Sequence, residues 1–292
     1  MGTVYILGAG FSKTCGIATD LEMLDSLNPM LEATETKGGG APRTTIEYLR
    51  EQNFHNQQKV GFELFMSTLS SVKFIVECMG PGRNVAQEEE QELQEALRTY
   101  LVTCVREVNW VDKGKTILDF VGRVDWKHDF ILTFNYDLLL EAAAKKLDLD
   151  VGERIIHLHG AINEKALAWP TYTKFAYDTT KMPLAPQWKR AFEILCNLAR
   201  QPEIGSLVFI GYSMPPSDLE AKSLFNYTDW YNSMPGHSYE GKRVPVENHY
   251  AYPIVVVNPD PEIKSNYKFF RKNPVFHQIN LEKWLIAKEQ HQ

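Results

Sequence analysis

Two polar side chains in the middle of the chain have the functional groups needed to handle a hydroxyl group or a water molecule. Asn135 belongs to the segment TFNYD and His159 to the segment HLHG, and each follows an apolar run. A carboxamide donates and accepts hydrogen bonds at the same time, so Asn135 can hold a hydroxyl or a water. An imidazole is largely neutral near pH 7 and can accept a proton. The pair therefore predicts proton transfer, with His159 as the base.

A glycine-rich turn follows the first apolar run of the chain, TVYIL. Gly8-Ala9-Gly10 comes directly after Leu7, and glycine lets backbone amides approach a pyrophosphate where a side chain would collide. The dinucleotide-binding fingerprint GxGxxG is incomplete, because Lys13 occupies the position of its third glycine. A classical dehydrogenase is therefore disfavoured, and the chain has no GxxxxGK[ST] loop of a P-loop ATPase. A simple tight turn remains the alternative to a phosphate site.

The candidate residues also have structural interpretations. Asn135 is a favoured residue type for capping a helix that begins at Tyr136, and Asp137 is a favourable acid for the first turn of that helix. We interpret His159, which immediately precedes Gly160, as catalytic and His157 as structural. The His-x-His spacing also suits a metal, but no further ligands lie nearby in sequence and no metal site is predicted.

Six short apolar runs are predicted to form the strands that position these residues. They are rich in β-branched and aromatic side chains and apolar almost throughout, as expected for strands covered on both faces. Helical patterns separate most of them, which predicts an α/β fold with a doubly wound, mostly parallel, Rossmann-like sheet. Ligands bind beyond the carboxyl ends of the strands in such a sheet, which is where the candidate residues fall. The runs are 3–7, 130–134, 154–158, 206–210, 253–257 and 275–279.

A long segment separates the first two predicted strands and is too long for one crossover helix. Helical periodicity at 62–79 and at 87–108 predicts an inserted helical subdomain at 40–122. The Rossmann-like core is then formed by 1–39 and 123–292.

Two further segments are predicted to be loops. The stretch KGGGAPR at 37–43 is expected to be flexible and to lie near the ligand. The aromatic-rich stretch 226–250 is expected to be irregular, and it packs either on the chain itself or on another subunit.

The composition is that of an ordinary globular protein. The 292 residues are 44% hydrophobic and 23% charged with a net charge of −6, so a generally basic nucleic-acid-binding surface is not expected. Four scattered cysteines form no CxxC pair, which predicts neither a zinc ribbon nor a disulfide framework. No apolar run reaches the roughly 18 residues of a membrane span, and the first run is too short for a signal peptide. We therefore expect a soluble, cytoplasmic protein without zinc.

Five motifs, in the same order along the chain, resemble motifs of the Sir2 (sirtuin) family. The glycine turn with the residues after it resembles the family's NAD-binding motif, and TFNYD at 133–137 resembles its Gln-Asn-Ile-Asp motif. His159-Gly160 is similar to the catalytic His-Gly pair, and IGYSMPPSD at 210–218 to the Gly-Thr-Ser segment. Asn258 matches the asparagine at the adenosine end. Besides catalytic Asn135 and His159, the resemblance implies these NAD-binding residues: Gly8, Ala9, Gly10, Phe11, Ser12, Asp20, Asp137, Gly211, Ser213 and Asn258.

The resemblance also implies individual roles and marks two departures from the deacylating sirtuins. By resemblance, Asp137 holds the carboxamide of nicotinamide, whereas Ser12 and Ser213 reach the phosphates. The chain lacks the two cysteine pairs that bind structural zinc in deacylating members, and Leu-Glu follows Asp20 where those members have Phe-Arg. Both departures put an acyl-lysine substrate in doubt.

What remains resembles the Sir2-like proteins of bacterial antiviral defence, which destroy NAD in infected cells. The implied activity is that of an NAD glycohydrolase, which forms nicotinamide and ADP-ribose from NAD and water. A stand-alone chain of this size also resembles the partner of a HerA-type hexameric ATPase, and a homo-oligomer is expected. Because the activity would be toxic if always on, we expect it to be held off by assembly state, a lid or a partner. Two alternatives remain. One is an NAD-dependent protein deacylase or ADP-ribosyltransferase, and the other is a non-catalytic regulatory subunit that binds NAD or ADP-ribose.

Overall fold

The computed structural model describes the central sheet and the residues around its carboxyl edge. The described residues are 2–35, 61–62, 65–66, 68–69, 71–72, 78, 85–164, 167, 184–198, 204–215, 218–232, 238–239, 242–243 and 252–290. The predicted loop at 37–43 lies outside them. Within these ranges, no helix is long and apolar enough to cross a membrane.

A six-stranded, all-parallel sheet forms the centre of the fold. Its strands are β1 (Gly2–Leu7), β2 (Phe130–Thr133), β3 (Ile155–His157), β4 (Ile204–Ile210), β5 (Ile254–Val257) and β6 (Val275–His277). They lie in the order β3-β2-β1-β4-β5-β6. The strands β2 and β3 follow on one side of β1, and β4, β5 and β6 follow on its other side, so the strand order reverses between β1 and β4. All six predicted strands and the Rossmann-like α/β class are confirmed. In this strand order, the ligand crevice lies at the reversal point.

Helices cover both faces of the sheet. Among the described residues, the α-helices with defined bounds are α1 (Ala9–Ser12), α2 (Asp20–Glu35), α3 (Val85–Arg106), α4 (Lys115–Arg123), α5 (Leu139–Lys146), α6 (Ala185–Leu198), α7 (Leu219–Asn232) and α8 (Leu281–Glu289). Alternate residues of β1 point to opposite faces, so Val4 and Ile6 pack with α6 and α7, whereas Tyr5 and Leu7 pack with α4, α5 and α8. Both layers are apolar, which explains why the strands are apolar almost throughout.

A third apolar cluster lies where α2 packs on α3. Leu27 of α2 and Leu93 of α3 are fully buried in it, together with Ile17 and Tyr136 from the loops that follow β1 and β2. The helices of this cluster therefore pack against the carboxyl edge of the sheet. The division into a core and an inserted subdomain at 40–122 stays a prediction.

The aromatic segment 226–250 is not an irregular loop throughout, because α7 continues through Asn232. The second half of α7 is rich in Asn, Tyr, Thr, Asp and Trp, whose modest helix propensities do not predict a helix. Tertiary contacts outweigh that preference: Phe225 is fully buried, and Asn232 Nδ2 donates a hydrogen bond to the Leu195 carbonyl at 3.0 Å. Beyond α7, the described parts of this segment form a short antiparallel pair between 238–239 and 242–243.

Candidate active site

A cavity of about 570 Å³ opens at the carboxyl edge of the sheet, around the reversal point between β1 and β4. Phe11 differs from the other predicted site residues, because its side chain lies in the core with its ring centroid 5.2 Å from that of Phe120. The structure brings the remaining predicted residues together, and these line the cavity: Gly8, Ala9, Gly10, Ser12, Asp20, Asn135, Asp137, His159, Gly211, Ser213 and Asn258.

The glycine turn packs directly against the end of β4. The Gly8 N–H donates to the Ile210 carbonyl at 3.2 Å, and the Gly10 N–H donates to the Gly211 carbonyl at 2.9 Å. A Cβ atom on Gly8 would lie 2.6 Å from Tyr212 Cα, and one on Gly10 would lie 2.9 Å from Gly211 Cα. Glycine is therefore required for close contact between two backbone segments. These two amides bond to protein carbonyls, so the expected donation to a pyrophosphate is not open to them in this structure.

The Asn135 carboxamide is held by a buried hydrogen-bond network. Its Nδ2 atom donates to the Gly8 carbonyl at 3.1 Å and to Ser12 Oγ at 3.0 Å. Ser12 Oγ in turn donates to Asp137 Oδ2 at 2.8 Å. Both protons of the Asn135 amide are thus used within the protein, and its Oδ1 atom is the group left to meet a ligand. The Ser12 hydroxyl donates its hydrogen bond to Asp137 and supports Asn135 in this structure, and its contact with a phosphate stays a prediction.

The helix after β2 begins later than predicted, with Leu138 as its N-cap and Glu141 as its first-turn acid, so neither the capping role of Asn135 nor the first-turn role of Asp137 applies. α5 begins at Leu139, and the Leu139 N–H donates to Asp137 Oδ1 at 3.0 Å. Burial raises the pKa of Asp137, although the hydrogen bonds from Ser12 and Leu139 favour its charged form. This carboxyl group therefore accepts one bond from the first residue of α5 and one from the serine that holds Asn135.

His159 follows β3 and is buried at the wall of the cavity. Its ring packs between aromatic neighbours, with centroid distances of 5.1 Å to Phe134 and 5.9 Å to Tyr136. Its Nε2 atom lies 3.5 Å from Oδ2 of Asp218, and each of these two side chains is only 1% exposed. The neighbours of His159 therefore combine flat apolar surfaces with one carboxylate.

The sequence did not identify Asp218 as a site residue, although the residue lies in the segment IGYSMPPSD. An aspartate after two prolines and before a helix is an ordinary N-cap signal, and nothing local connects it to a histidine almost sixty positions earlier. Only the packing of the β4–α7 connection against the end of β3 brings the two side chains together.

The remaining polar residues lie along the same edge. Ser213 is exposed at the cavity, and its carbonyl accepts a hydrogen bond from Asn266 Nδ2 at 2.9 Å. Oδ1 of Asn258 accepts the Asp260 N–H at 3.0 Å in a local turn after β5. Asp20 is the first residue of α2 and lines the cavity. These residues and the glycine turn thus line the same cavity.

One end of the cavity is apolar and is formed by side chains that the sequence left without a role. Leu97 and Leu101 of α3 lie there beside Phe62, Met23 and Ile17. Their helical spacing predicts only a buried face, so no sequence signal separates a cavity wall from ordinary core. The arrangement gives the cavity a polar part around Asn135 and an apolar part that could enclose a flat, uncharged ring.

His157, predicted to be structural, supports Asn135 from behind. Its Nδ1 atom lies 2.9 Å from the Asn135 carbonyl oxygen, and its Nε2 atom lies 2.8 Å from Glu141 Oε1. Both ring nitrogens face acceptors, which favours the doubly protonated ring. Burial by itself would lower the pKa of His157, but the hydrogen bond and the charge of Glu141 outweigh it, and the pKa is raised.

Replacing Glu141 with glutamine is expected to destabilise the protein more near pH 6 than near pH 9. Because the folded-state pKa of His157 lies above its unfolded value, its stabilisation is fully present below about pH 6.5 and is lost as the pH rises through the folded pKa. Urea unfolding at several pH values would measure the free-energy difference between wild type and Glu141→Gln, which we expect to be of order 1 kcal/mol at the low end.

Glu153→Gln provides the matched control for this experiment. Glu153 pairs with Arg190 at the surface, and the hydrogen bond from Arg190 lowers its pKa, so its contribution does not titrate in the same range. A free-energy difference for Glu141→Gln that stays constant with pH, as in the control, would show that His157 is not charged through Glu141.

Among the residues that the structure describes, no three His, Cys, Asp or Glu side chains converge as a metal-binding group. The chain matches no protein-family model and no curated protein.

Solved sirtuin structures show a weak overall likeness to the chain. A mutant Sir2 homologue in complex with ADP-ribose is 12% identical, the match covers 99% of this chain and 90% of that one, and the TM-score is 0.45. A Sir2 complex with an inhibitor, 2′-O-acetyl-ADP-ribose and a deacetylated peptide is 12% identical over 99% and 93%, with a TM-score of 0.36. A sirtuin structure concerned with substrate affinity is 13% identical over 99% and 92%, also at 0.36.

Proposed function

We propose that the protein is an NAD glycohydrolase, which cleaves the bond between nicotinamide and ribose in NAD with water. The observation that carries the proposal is that Asn135, His159 and the glycine turn all line one cavity at the sheet reversal point. That position is where parallel α/β sheets bind their ligands. The order of the five motifs along the chain supports NAD as the ligand.

The proposed reaction needs little from the protein beyond orientation and one base. The bond between ribose C1′ and the nicotinamide nitrogen breaks, and its electron pair leaves with nicotinamide as a neutral molecule. Positive charge develops on the ribose, as in glycoside hydrolysis. The oxygen of a water molecule forms the new bond to C1′, and the proton that this water loses passes through His159 to the solvent. NAD⁺ and water thus give nicotinamide, ADP-ribose and one proton.

The residues of the cavity suggest a division of labour for this reaction. Oδ1 of Asn135 accepts a hydrogen bond from a ribose hydroxyl or from the attacking water, because the Nδ2 protons are held by Gly8 and Ser12. His159 accepts the proton. The apolar end of the cavity, with Leu97 and Leu101, suits the leaving nicotinamide ring. Asp137 supports the carboxamide of nicotinamide only if its contacts to Ser12 and Leu139 rearrange.

Water is the proposed nucleophile because the sequence departs from acyl-lysine deacylases. None of the four cysteines forms a CxxC pair, so the structural zinc site of those enzymes has no ligands here. We place the activity in bacterial antiviral defence by NAD depletion, in the cytoplasm. A homo-oligomer, with a HerA-type hexameric ATPase as partner, would keep the toxic activity off until infection.

The proposal is tested by incubating the purified protein with NAD, alone and with the candidate ATPase, and following nicotinamide release by chromatography. We expect release in the absence of any peptide and equal amounts of ADP-ribose. Release only after an acylated peptide is added would indicate deacylation instead. Tight binding of NAD without any release, with and without the ATPase, would indicate a regulatory subunit and overturn the proposal.

A further inference from the structure

Asp218 precedes α7 and contacts both that helix and His159. Its Oδ1 atom accepts the Ala221 N–H at 3.2 Å, which is the bond of a helix N-cap. Its Oδ2 atom accepts the Tyr212 hydroxyl at 2.8 Å and lies 3.5 Å from Nε2 of His159. One carboxylate oxygen therefore caps the N-terminus of α7, and the other lies beside His159 in the candidate active site.

The Asp218 carboxylate is held in its charged form although it is buried. Burial would raise the pKa of Asp218, but the proximity of His159 and the hydrogen bond from Tyr212 lower it below the usual value. A buried carboxylate is costly unless its oxygens have donors. Here the donors are a phenol and a backbone amide, and an imidazole nitrogen lies 3.5 Å away.

Helix capping alone does not account for an aspartate at this position. Serine and asparagine cap helices about as well as aspartate and would bury no charge. A negative charge on the carboxylate stabilises a neighbouring group that carries or receives a proton. The neighbour of Oδ2 is His159, the residue proposed as the base. The second oxygen of Asp218 thus points to a role beyond the helix.

We propose that Asp218 is a positioning residue that fixes the ring tautomer of His159. It accepts a hydrogen bond from His159 Nε2–H, so that Nδ1 is the nitrogen that takes up the proton. This inference rests on the proposed function, in which His159 is the base. The 3.5 Å separation is long for a hydrogen bond, and bonds of this kind shorten when substrate is bound. When Nδ1 has taken the proton, the carboxylate stabilises the imidazolium without itself becoming protonated.

Asp218→Asn is the decisive variant, because asparagine keeps the size of the side chain and its capping ability and removes the charge. We expect kcat for nicotinamide release to fall about 100-fold or more, with KM for NAD and the thermal midpoint little changed. Asp150→Asn is the matched control. The exposed Asp150 accepts the Gly152 N–H at 3.0 Å in a turn outside the cavity lining, so this variant should keep wild-type kcat. A kcat within twofold of wild type for Asp218→Asn would overturn the proposal.

A second measurement does not depend on activity. In protein labelled with ¹⁵N-histidine, the nitrogen shifts of His159, assigned with His159→Gln, report which ring nitrogen carries the proton. We expect Nε2 to be protonated in the wild type and the tautomer populations to change in Asp218→Asn. Identical His159 shifts in the two proteins would refute the proposal, even if kcat fell.

These readouts also separate the two hypotheses. If the wild type releases no nicotinamide under any condition, the proposed function fails, whereas the nitrogen shifts still decide whether Asp218 sets the tautomer. If Asp218→Asn does not fold, Asp218→Ser retains a capping hydroxyl and is measured in the same way. A His159 tautomer in Asp218→Ser that equals the wild-type tautomer would count against the proposal.

Discussion

Nicotinamide release from NAD is expected to fall by about 10²–10⁴-fold in His159→Gln, the range that a general base contributes. Glutamine has a comparable length and can still form hydrogen bonds, but it cannot accept a proton at neutral pH. His159 is buried at the cavity wall, and no neighbouring imidazole is seen there among the described lining residues. The effect should appear in kcat, measured from initial rates of nicotinamide formation, with NAD affinity from calorimetry nearly unchanged.

Asn135→Ala tests the other half of the same prediction. This change removes Oδ1 and also the bonds from Nδ2 to Gly8 and Ser12, so we expect a similar loss of kcat together with weaker NAD binding. His128→Gln is the control, because His128 is exposed, contacts Asp125 and does not line the cavity. Normal turnover in either His159→Gln or Asn135→Ala would remove the basis for the proposed chemistry.

Gly211→Ala is expected to destabilise the protein by about 3 kcal/mol or more and to abolish NAD binding. Gly211 has a φ of +61°, which strains any other residue, and an added Cβ would lie 2.3 Å from the Phe11 nitrogen and 2.5 Å from the Gly10 carbonyl carbon. Both atoms belong to the backbone of the glycine turn, so no side-chain rotation relieves the overlap. The turn must move away from β4, and the cavity must change shape with it.

Gly152→Ala is the control that separates the cost of a positive φ from the cost of the overlap between an added Cβ and the neighbouring backbone. Gly152 also has a positive φ, of +48°, but an added Cβ meets nothing within 4 Å. We expect this control to cost about 1 kcal/mol and to leave NAD binding intact. Unfolding in guanidinium chloride and calorimetric titration with NAD measure both quantities. Equal stability losses in the two variants would mean that the close contact between the turn and β4 is absent in solution.

Much of the fold was determined by local sequence. A parallel strand covered on both faces has to be apolar at nearly every position, so runs such as TVYIL are identifiable without any tertiary information. The topology then places the carboxyl ends of β1, β2, β3, β4 and β5 along one edge, which is why predicted site residues after different strands meet in one cavity.

The extent of α7 and the partners of the polar groups were not determined locally. The second half of α7 has weak helix formers and is held by packing of Phe225 and by the Asn232–Leu195 hydrogen bond. Gly8 and Gly10 are of the residue type expected at a phosphate site. Their backbone amides nevertheless have carbonyl partners, because the turn packs closely on the end of β4.

The sequence by itself determined which residues end the strands, and therefore that Asn135 and His159 belong to one crevice. Only the tertiary structure decided that Asp218 is beside His159, that Ser12 is bonded to Asn135 and that Leu97 closes the apolar end of the cavity. The reason is physical. Burial patterns repeat along a strand or helix and are set by neighbouring residues, whereas a hydrogen bond between positions far apart in the chain depends on how whole elements pack.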